Sequence, residues 1–364
     1  MASDKPTEEA PGVDEPRDVE IGVEDLSLDP GTGATASAPA QTEDFDIVAF
    51  YNELLVSNPD MTMAVAALEA LIEVLRTIPL ETSMETVEVV RKQKQALVTS
   101  TLNPLPVLAG ADIFEQYLLR SLRGQPAADT DRVMSFEQTR SHLVLNRQEF
   151  AINARKARDG IATHGCKYIK SGRVVLAAGG SRAVTQILLR AASFHDRHFK
   201  VIWVDDESPN AYKSLKSLFD VGLEVEVINP RKVAYVLGNC KDINVVLVGA
   251  EAILQNGGII SRMGTSQIAH LTRTVKGSMK RFLVAAETHK IVRKTPLSHP
   301  IINRLGIRQK DFSGFDKVGV EVEEALLRQD DEVDYTDPDL IDGIITELGM
   351  KTTSQIWEMV DDYI

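Results

Sequence analysis

Cysteine is nearly absent from this 364-residue chain; it has two, Cys166 and Cys240. They form no CxxC pair, and no histidines stand at zinc-ligand spacing around them. This excludes a disulfide framework and a structural metal site, and points to a reducing compartment, read here as cytoplasmic. Long apolar runs are also missing. No stretch approaches the ~18–20 residues that span a bilayer, and the N-terminus has no basic segment leading into an apolar core, so neither a membrane partner nor a secretory signal is expected. Positive charge is in short supply: Lys and Arg number 40 against 53 Asp and Glu, for a net charge of −13. A general affinity for nucleic-acid backbones is excluded on that ground. What remains, 43% hydrophobic and 26% charged residues, is ordinary for a globular protein long enough for two domains.

The acid is unevenly placed. Residues 1–44 hold twelve Asp/Glu against two Lys/Arg and no aromatic residue. Such a segment buries too little apolar area to offset chain entropy and reads as a disordered acidic tail. It is either an interaction arm or a solvated extension.

Residues 45–170 read as a helical domain with a long connecting helix. Apolar residues recur at three- and four-residue spacings over Phe45–Ser57 and Met61–Thr77. Thr82 and Glu85 have capping-box spacing, which predicts a helix from Ser83 to about Thr99. Asn103-Pro104-Leu105-Pro106 reads as a stop, with a further helix over about Ala111–Leu122. Gly124–Asp131 is a polar connector. Ser135 and Gln138 again have capping-box spacing, and a helical pattern runs from Phe136 to Lys170, with a break suggested at Asp159-Gly160.

From Gly172 the pattern alternates. Strands are expected at Arg173–Ala177, Lys200–Val204, Val225–Ile228, Val245–Val248 and Phe282–Ala286. Helices are expected at Arg182–Ala192, Ala211–Asp220, Val233–Gly238 and Thr265–Val275, with Gly222 as a helix-ending glycine. The alternation predicts an α/β fold: a helical N-terminal domain, then a Rossmann-like α/β domain over 171–364 with a mainly parallel sheet. Lys294–Asp331 reads as an irregular excursion. Asp337-Pro338 reads as opening a helix to about Leu348, stopped by Gly349, and a last helix runs from Ser354 to about Tyr363.

The stretch Val245–Gln267 is the one the rest is organised around. It runs strand, carboxylate (Glu251), glycine turn (Asn256-Gly257-Gly258), second glycine (Gly264), helix. In open α/β sheets, ligands sit beyond the C-terminal ends of strands. Glu251 is therefore either an acid–base or ligand group, or an ordinary carboxylate at a strand end. Gly179-Gly180-Ser181-Arg182, between a strand and a helix, has the form of an anion site; the alternative is a tight turn with Arg182 solvated. In Glu287-Thr288-His289-Lys290, Lys290 is placed to meet a phosphate, while His289 lacks a visible catalytic partner. His164 and Cys166 do not share a helix face, so they are not read as a nucleophile pair.

The run VGAEAILQNGGIISRMGT, with SNPDMTMAVAALEALIEVL, YIKSGRVVL and VDYTDPDLI in that order around it, resembles the regulatory subunits of translation initiation factor 2B, the alpha type in particular, and their sugar-phosphate isomerase relatives. The resemblance covers about residues 45–364. It implies a non-catalytic, regulatory subunit of the guanine-nucleotide exchange factor for initiation factor 2. Such a subunit homodimerises to join two sets of the beta, delta, gamma and epsilon subunits, and helps sense the phosphorylated alpha chain of initiation factor 2. The isomerases use a cysteine and an aspartate as acid–base partners. Laid on VVLAAGGSRAV, the cysteine falls on Gly179 and the aspartate on Glu251, so the resemblance implies lost isomerase activity. The same comparison implies that no cofactor is required, while a pocket for a sugar phosphate or nucleoside monophosphate persists around Gly179, Gly180, Ser181, Arg182, Glu251, Asn256, Gly257 and Lys290. Arg76, Arg91, Lys92 and Lys94 are candidate contacts for the phosphorylated partner. The competing reading is an active aldose–ketose isomerase acting on a sugar phosphate.

Overall fold

The computed structural model describes residues 45–78, 82–122, 147–195, 197–205, 209–275, 279–295, 304–309 and 333–362. The acidic tail, the connector Gly124–Asp131, the Ser135/Gln138 cap and most of the expected excursion at Lys294–Asp331 lie outside them. Residues Asp44–Ile364 form one compact unit.

The helical part is built by local capping. Asp46 accepts from the N–H groups of Val48 and Ala49 and starts α1 (Ile47–Ser57). Thr62 accepts from Val65 N and starts α2 (Met63–Thr77). Thr82 accepts from Glu85 N at 3.2 Å, as its spacing predicts, and starts α3 (Ser83–Ser100). Helix α4 (Leu105–Leu122) begins six residues earlier than expected. The stop holds, since α3 ends at Ser100, but the same prolines also open the next helix. Asn103 Oδ1 accepts from Leu105 N at 3.2 Å, and Pro106 falls in the first turn, where a backbone N–H has no intrahelical partner to lose. Helix α5 (Arg147–Gly165) passes through Asp159-Gly160 without a break and ends in a 3₁₀ turn, Cys166–Tyr168. Gly160 serves packing: a β-carbon there would sit 2.9 Å from Cβ of Glu347.

Strands β1 (Val174–Ala178), β2 (Lys200–Val204), β3 (Glu224–Ile228) and β4 (Ile243–Gly249) alternate with α6 (Arg182–Ala192), α7 (Pro209–Asp220) and α8 (Val233–Asn239). Gly222, at φ 77°, closes α7 as a Schellman turn, with Gly222 N bonded to Phe219 O and Leu223 N to Leu218 O. After β4 come the short strands β5 (Ala252–Leu254) and β6 (Ile259–Arg262), then α9 (Thr265–Thr274), β7 (Arg281–Ala285), β8 (Ile291–Val292) and β9 (Val333–Thr336). The expected helix from Asp337 to Leu348 is not formed. A 3₁₀ turn, Pro338–Leu340, leads instead into a hairpin of β10 (Gly343–Thr346) and β11 (Gly349–Lys351), and α10 (Thr353–Asp362) ends the described chain. Gly349, at φ 102°, turns this hairpin and stops no helix. Ile344 and Ile345 are fully buried because β10 pairs in parallel with β7 and extends the sheet, a tertiary reward that local pattern does not encode.

The seven-stranded sheet has the order β11-β10-β7-β4-β1-β2-β3, parallel except for β11. Its parallel strands thus follow the Rossmann order, with the switch point between β1 and β4. Alternate side chains feed two cores: Val175, Ala177, Val245 and Leu247 pack under α5, α6 and α7, while Leu176, Val246 and Val248 pack under α8, α9 and α10. A second, four-stranded sheet, β8-β5-β6-β9, was not expected from the sequence. Its β9 supplies Asp334, whose Oδ2 accepts from Gly264 N and Ser266 N and caps α9, which lacks a side-chain cap of its own.

The helical layer rests on this second sheet. Ala64 of α2 and Leu105 and Ala109 of α4 share one buried cluster with Ala252, Leu254, Ile260, Val292, Val333 and Tyr335. Small residues allow the close approach: a β-carbon on Gly110 would lie 1.9 Å from the backbone oxygen of Ala64. Because the obstacle is backbone, α2 and α4 would have to part. Gly110→Ala is therefore expected to cost about 1–3 kcal/mol by overpacking, despite its better helix propensity. The urea midpoint of the variant, compared with that of the wild type, checks this.

Candidate functional site

The crevice beyond β1 and β4 is shaped by glycine. Gly179 (φ 83°) and Gly180 (φ 52°) carry the chain from β1 into α6, a left-handed conformation that a side chain would strain. At the end of β4, a β-carbon on Gly249 would lie 2.4 Å from both Cβ and Oγ of Ser181, so glycine is what lets the start of α6 sit over β4. Ser181 Oγ accepts from Val184 N at 3.5 Å and caps α6. Ser261 Oγ donates to Gly249 O at 3.0 Å and fixes the other wall.

Three charged side chains gather here. Glu251 follows β4, and its Oε2 accepts from Asn103 Nδ2 at 2.7 Å. Lys290 Nζ donates to Ala250 O at 3.0 Å and forms an ion pair with Glu287 Oε2 at 2.9 Å. Glu287 follows β7 and is 2% exposed. Burial alone would push its carboxyl up; the Lys290 ammonium, by charge and by hydrogen bond, leads the groups that outweigh this and hold it at about 2. His289 is pulled down by burial, which outweighs the attraction of Glu287 and favours the neutral ring. Its Nε2 lies 3.3 Å from Thr62 Oγ1, the residue that caps α2. Among the described residues, no group of three or more His, Cys, Asp or Glu is placed to hold a metal.

The structure brings Gly179, Gly180, Ser181, Glu251 and Lys290 to one crevice. Arg182 is aimed elsewhere: its Nη1 donates to Pro59 O at 3.0 Å and Met61 O at 3.3 Å, in the loop between α1 and α2. Asn256 and Gly257 shape the β5–β6 turn. Asn256 Nδ2 donates to Tyr335 Oη at 2.9 Å, Asn256 Oδ1 accepts from Gly258 N at 3.0 Å, and Gly257 passes so close to Thr353 that a β-carbon would lie 2.4 Å from its backbone oxygen. Neither thiol joins the crevice. Cys166 is buried in the turn ahead of β1, and Cys240 closes α8 ahead of β4. Both lie at the N-terminal edge of the sheet, a strand length of roughly 17–23 Å from the C-terminal ends.

Asn103 and Glu287 were not singled out from the sequence. Asn103 sits in a proline-rich junction, and only folding shows that it reaches Glu251. Glu287 was visible beside Lys290, but nothing local signals its burial. Of the cations considered for a phosphorylated partner, Arg76 pairs with Glu73, Arg91 lies 3.2 Å from Glu115, and Lys94 lies 2.6 Å from Asp112 and 3.1 Å from Glu115. Lys92 is exposed and makes no ion pair among the described residues.

The low pKa of Glu287 has a signed consequence. A carboxyl held at about 2 when folded, against an ordinary 4.5, binds fewer protons in the native state. It stabilises fully above the ordinary value, and the contribution is lost as pH falls from about 5 toward 2. The effect at neutral pH is on the order of 3 kcal/mol. Glu287→Gln is expected to lower stability at pH 7 and to flatten its fall between pH 5 and pH 2, read as urea midpoints across that range.

Comparison with known proteins agrees with this architecture. The chain is 29% identical over 324 residues to translation initiation factor eIF2B subunit alpha of Dictyostelium discoideum, covering 86% of this chain and 95% of the relative. It is also 29% identical over 229 residues to ribose 1,5-bisphosphate isomerase of Methanocaldococcus jannaschii, covering 62% of this chain and 70% of the relative. In fold it matches a chain of the tetrameric eIF2B-beta2-delta2 complex from C. thermophilum, with a TM-score of 0.63 and 22% identity over 88% of this chain and 96% of that one. The model of the Initiation factor 2 subunit family matches residues 56–353, most of the described chain and all of the crevice, and the protein belongs to that family.

Proposed function

We propose that this chain is a non-catalytic regulatory subunit of the guanine-nucleotide exchange factor for initiation factor 2, of the alpha type. On this reading it homodimerises and joins two sets of the beta, delta, gamma and epsilon subunits. The exchange chemistry resides in another subunit, and this chain works in the cytoplasm without a cofactor. Similarity over nearly the whole length of an eIF2B alpha subunit supports the assignment. The observation that carries the non-catalytic part is in the crevice. Aldose–ketose isomerisation moves a proton between neighbouring carbons and needs two groups that exchange it. Here Glu251 faces Asn103, and no thiol reaches it.

The crevice keeps features of an anion pocket, namely the glycine turn at the start of α6 and the Lys290 ammonium. A sugar phosphate or nucleoside monophosphate held there would stabilise the fold, not react. The purified chain is expected to show no turnover of ribose 1,5-bisphosphate or methylthioribose 1-phosphate by phosphorus NMR, and a tagged copy should co-purify with the other four subunits. Turnover that disappears in Glu251→Gln would establish the isomerase reading instead, favoured by the similarity to ribose 1,5-bisphosphate isomerases.

The helical layer is proposed to help read the phosphorylated alpha chain of initiation factor 2. A phosphoserine adds nearly two negative charges. Arg91 and Lys94 already face Glu115 and Asp112, which leaves Lys92 as the cation best placed to meet it. Charge reversal at Arg91 and Lys92 together is expected to weaken binding of the phosphorylated alpha chain by about tenfold, with the unphosphorylated form unaffected. Equal affinity for wild type and variant, measured by interferometry, would remove these residues from the contact.

A further inference from the structure

Helices α5, α6 and α7 lie over the same face of the seven-stranded sheet, above Val175, Trp203 and Leu247. The loop joining α1 to α2 reaches across to them. Between these elements is a cleft of about 480 Å3, within the ~300–1,000 Å3 usual for small-molecule sites. Four cationic side chains line it: Arg155 and Arg158 of α5, Arg182 of α6 and Lys213 of α7. Two carboxylates, Asp60 and Asp159, share the lining. In a chain of net charge −13, a concave site with an excess of cations stands out.

The way the inner pair is held adds to this. Arg182 Nη1 is bonded to the neutral carbonyls of Pro59 and Met61, and Arg158 Nη2 donates to Asp60 O at 3.1 Å, again a carbonyl. Arg158 Nε pairs with the buried Glu287 at 4.0 Å, and Lys290 holds that carboxylate more closely, at 2.9 Å. The guanidinium groups are thus positioned mainly by carbonyls, with one long ion pair from Arg158 to Glu287 behind them. Burial pulls the Arg182 pKa down and the neighbouring Arg158 charge adds to this, while Glu287 and Asp60 offset only part of it. A guanidinium has five N–H donors, and the carbonyl contacts of Arg182 both run through Nη1. Arg155 and Lys213 stand exposed at the rim, and neither makes an ion pair among the described residues. Gln186 and Ser217 line the same wall and offer an amide and a hydroxyl.

We propose that this cleft, separate from the β1–β4 crevice, is a binding site for a small phosphorylated metabolite. Arg155 and Lys213 take the phosphoryl oxygens, Arg158 and Arg182 supply the positive floor, and Gln186 and Ser217 meet hydroxyl groups. Its walls come from the α1–α2 loop and from α5, α6 and α7, so an occupant binds the helical layer to the α/β part. This stands independently of whether the crevice retains an isomerase reaction.

The test uses the full chain and inorganic pyrophosphate as the probe, by titration calorimetry and thermal melting at constant ionic strength with chloride as the control. Saturable binding is expected, with a raised melting temperature by mass action. The double variant Arg155→Ser, Lys213→Ser is expected to weaken binding by at least about tenfold. Both positions are exposed, so its melting temperature without pyrophosphate should match the wild type. If that melting temperature falls, Arg155→Lys with Lys213→Arg, which keeps both charges, must restore binding. Three results would overturn the proposal: no saturable binding at millimolar pyrophosphate, binding that survives the double substitution, or tighter binding of a phosphoserine peptide than of pyrophosphate.

Discussion

The hydrogen bond from Asn103 to Glu251 joins residues 148 positions apart and holds the junction of α3 and α4 over the mouth of the crevice. It is one of several polar contacts with the same geometry. Arg182 bonds to the α1–α2 loop, Arg158 bonds to Asp60 O, and His289 meets Thr62 at the cap of α2. Beneath them the small residues of α2 and α4 pack directly on the four-stranded sheet. The apolar contact supplies the larger share of the free energy, since burial scales with area. The polar contacts fix which face meets which, because a misaligned buried carboxylate or guanidinium would be left unpaired.

That arrangement also ties down side chains near the strand ends. Glu251, Lys290 and Arg182 are the side chains a ligand would be expected to meet. Each is bonded to the protein itself: Glu251 to Asn103, Lys290 to Glu287 and Ala250 O, Arg182 to two carbonyls. Glu287, buried and ionised, anchors the inner end of this network. Such a network fixes the position of one layer on the other, since it has few alternative pairings of similar energy.

Much of the framework was legible in the sequence because it is written locally. The cap at Thr82, the strand Lys200–Val204, the helix Arg182–Ala192 and the glycine at 222 each depend on a few adjacent residues, and each forms as its spacing predicts. The errors share a cause. Asn103 to Pro106 ends α3 as its pattern indicates, but proline also suits a first turn, and only the course of the chain shows that α4 starts there and not at Ala111. Gly160 was read as a break, although it makes room for Glu347. Gly343–Leu348 has the local pattern of a helix end, although its isoleucines complete a sheet whose nearest strand lies some sixty residues earlier. The strands β5 and β6 were hidden for the same reason: three or four apolar residues become a strand only when a partner is present.

Local pattern by itself determined the α/β class, the order of capped helices and buried strands, the glycine turns at the two strand ends, and the confinement of both cysteines to segments ahead of strands. Those follow from backbone sterics and side-chain periodicity, which act over a few residues. Tertiary structure alone decided that Asn103 would hold Glu251, that Arg182 would turn from the crevice to the α1–α2 loop, that Glu287 would be buried and ionised, and that four cations from separate helices would line one cleft. Each of these pairs charged or polar groups far apart in the chain. Their energies depend on distance and on exclusion from water, and both arise only when the layers close.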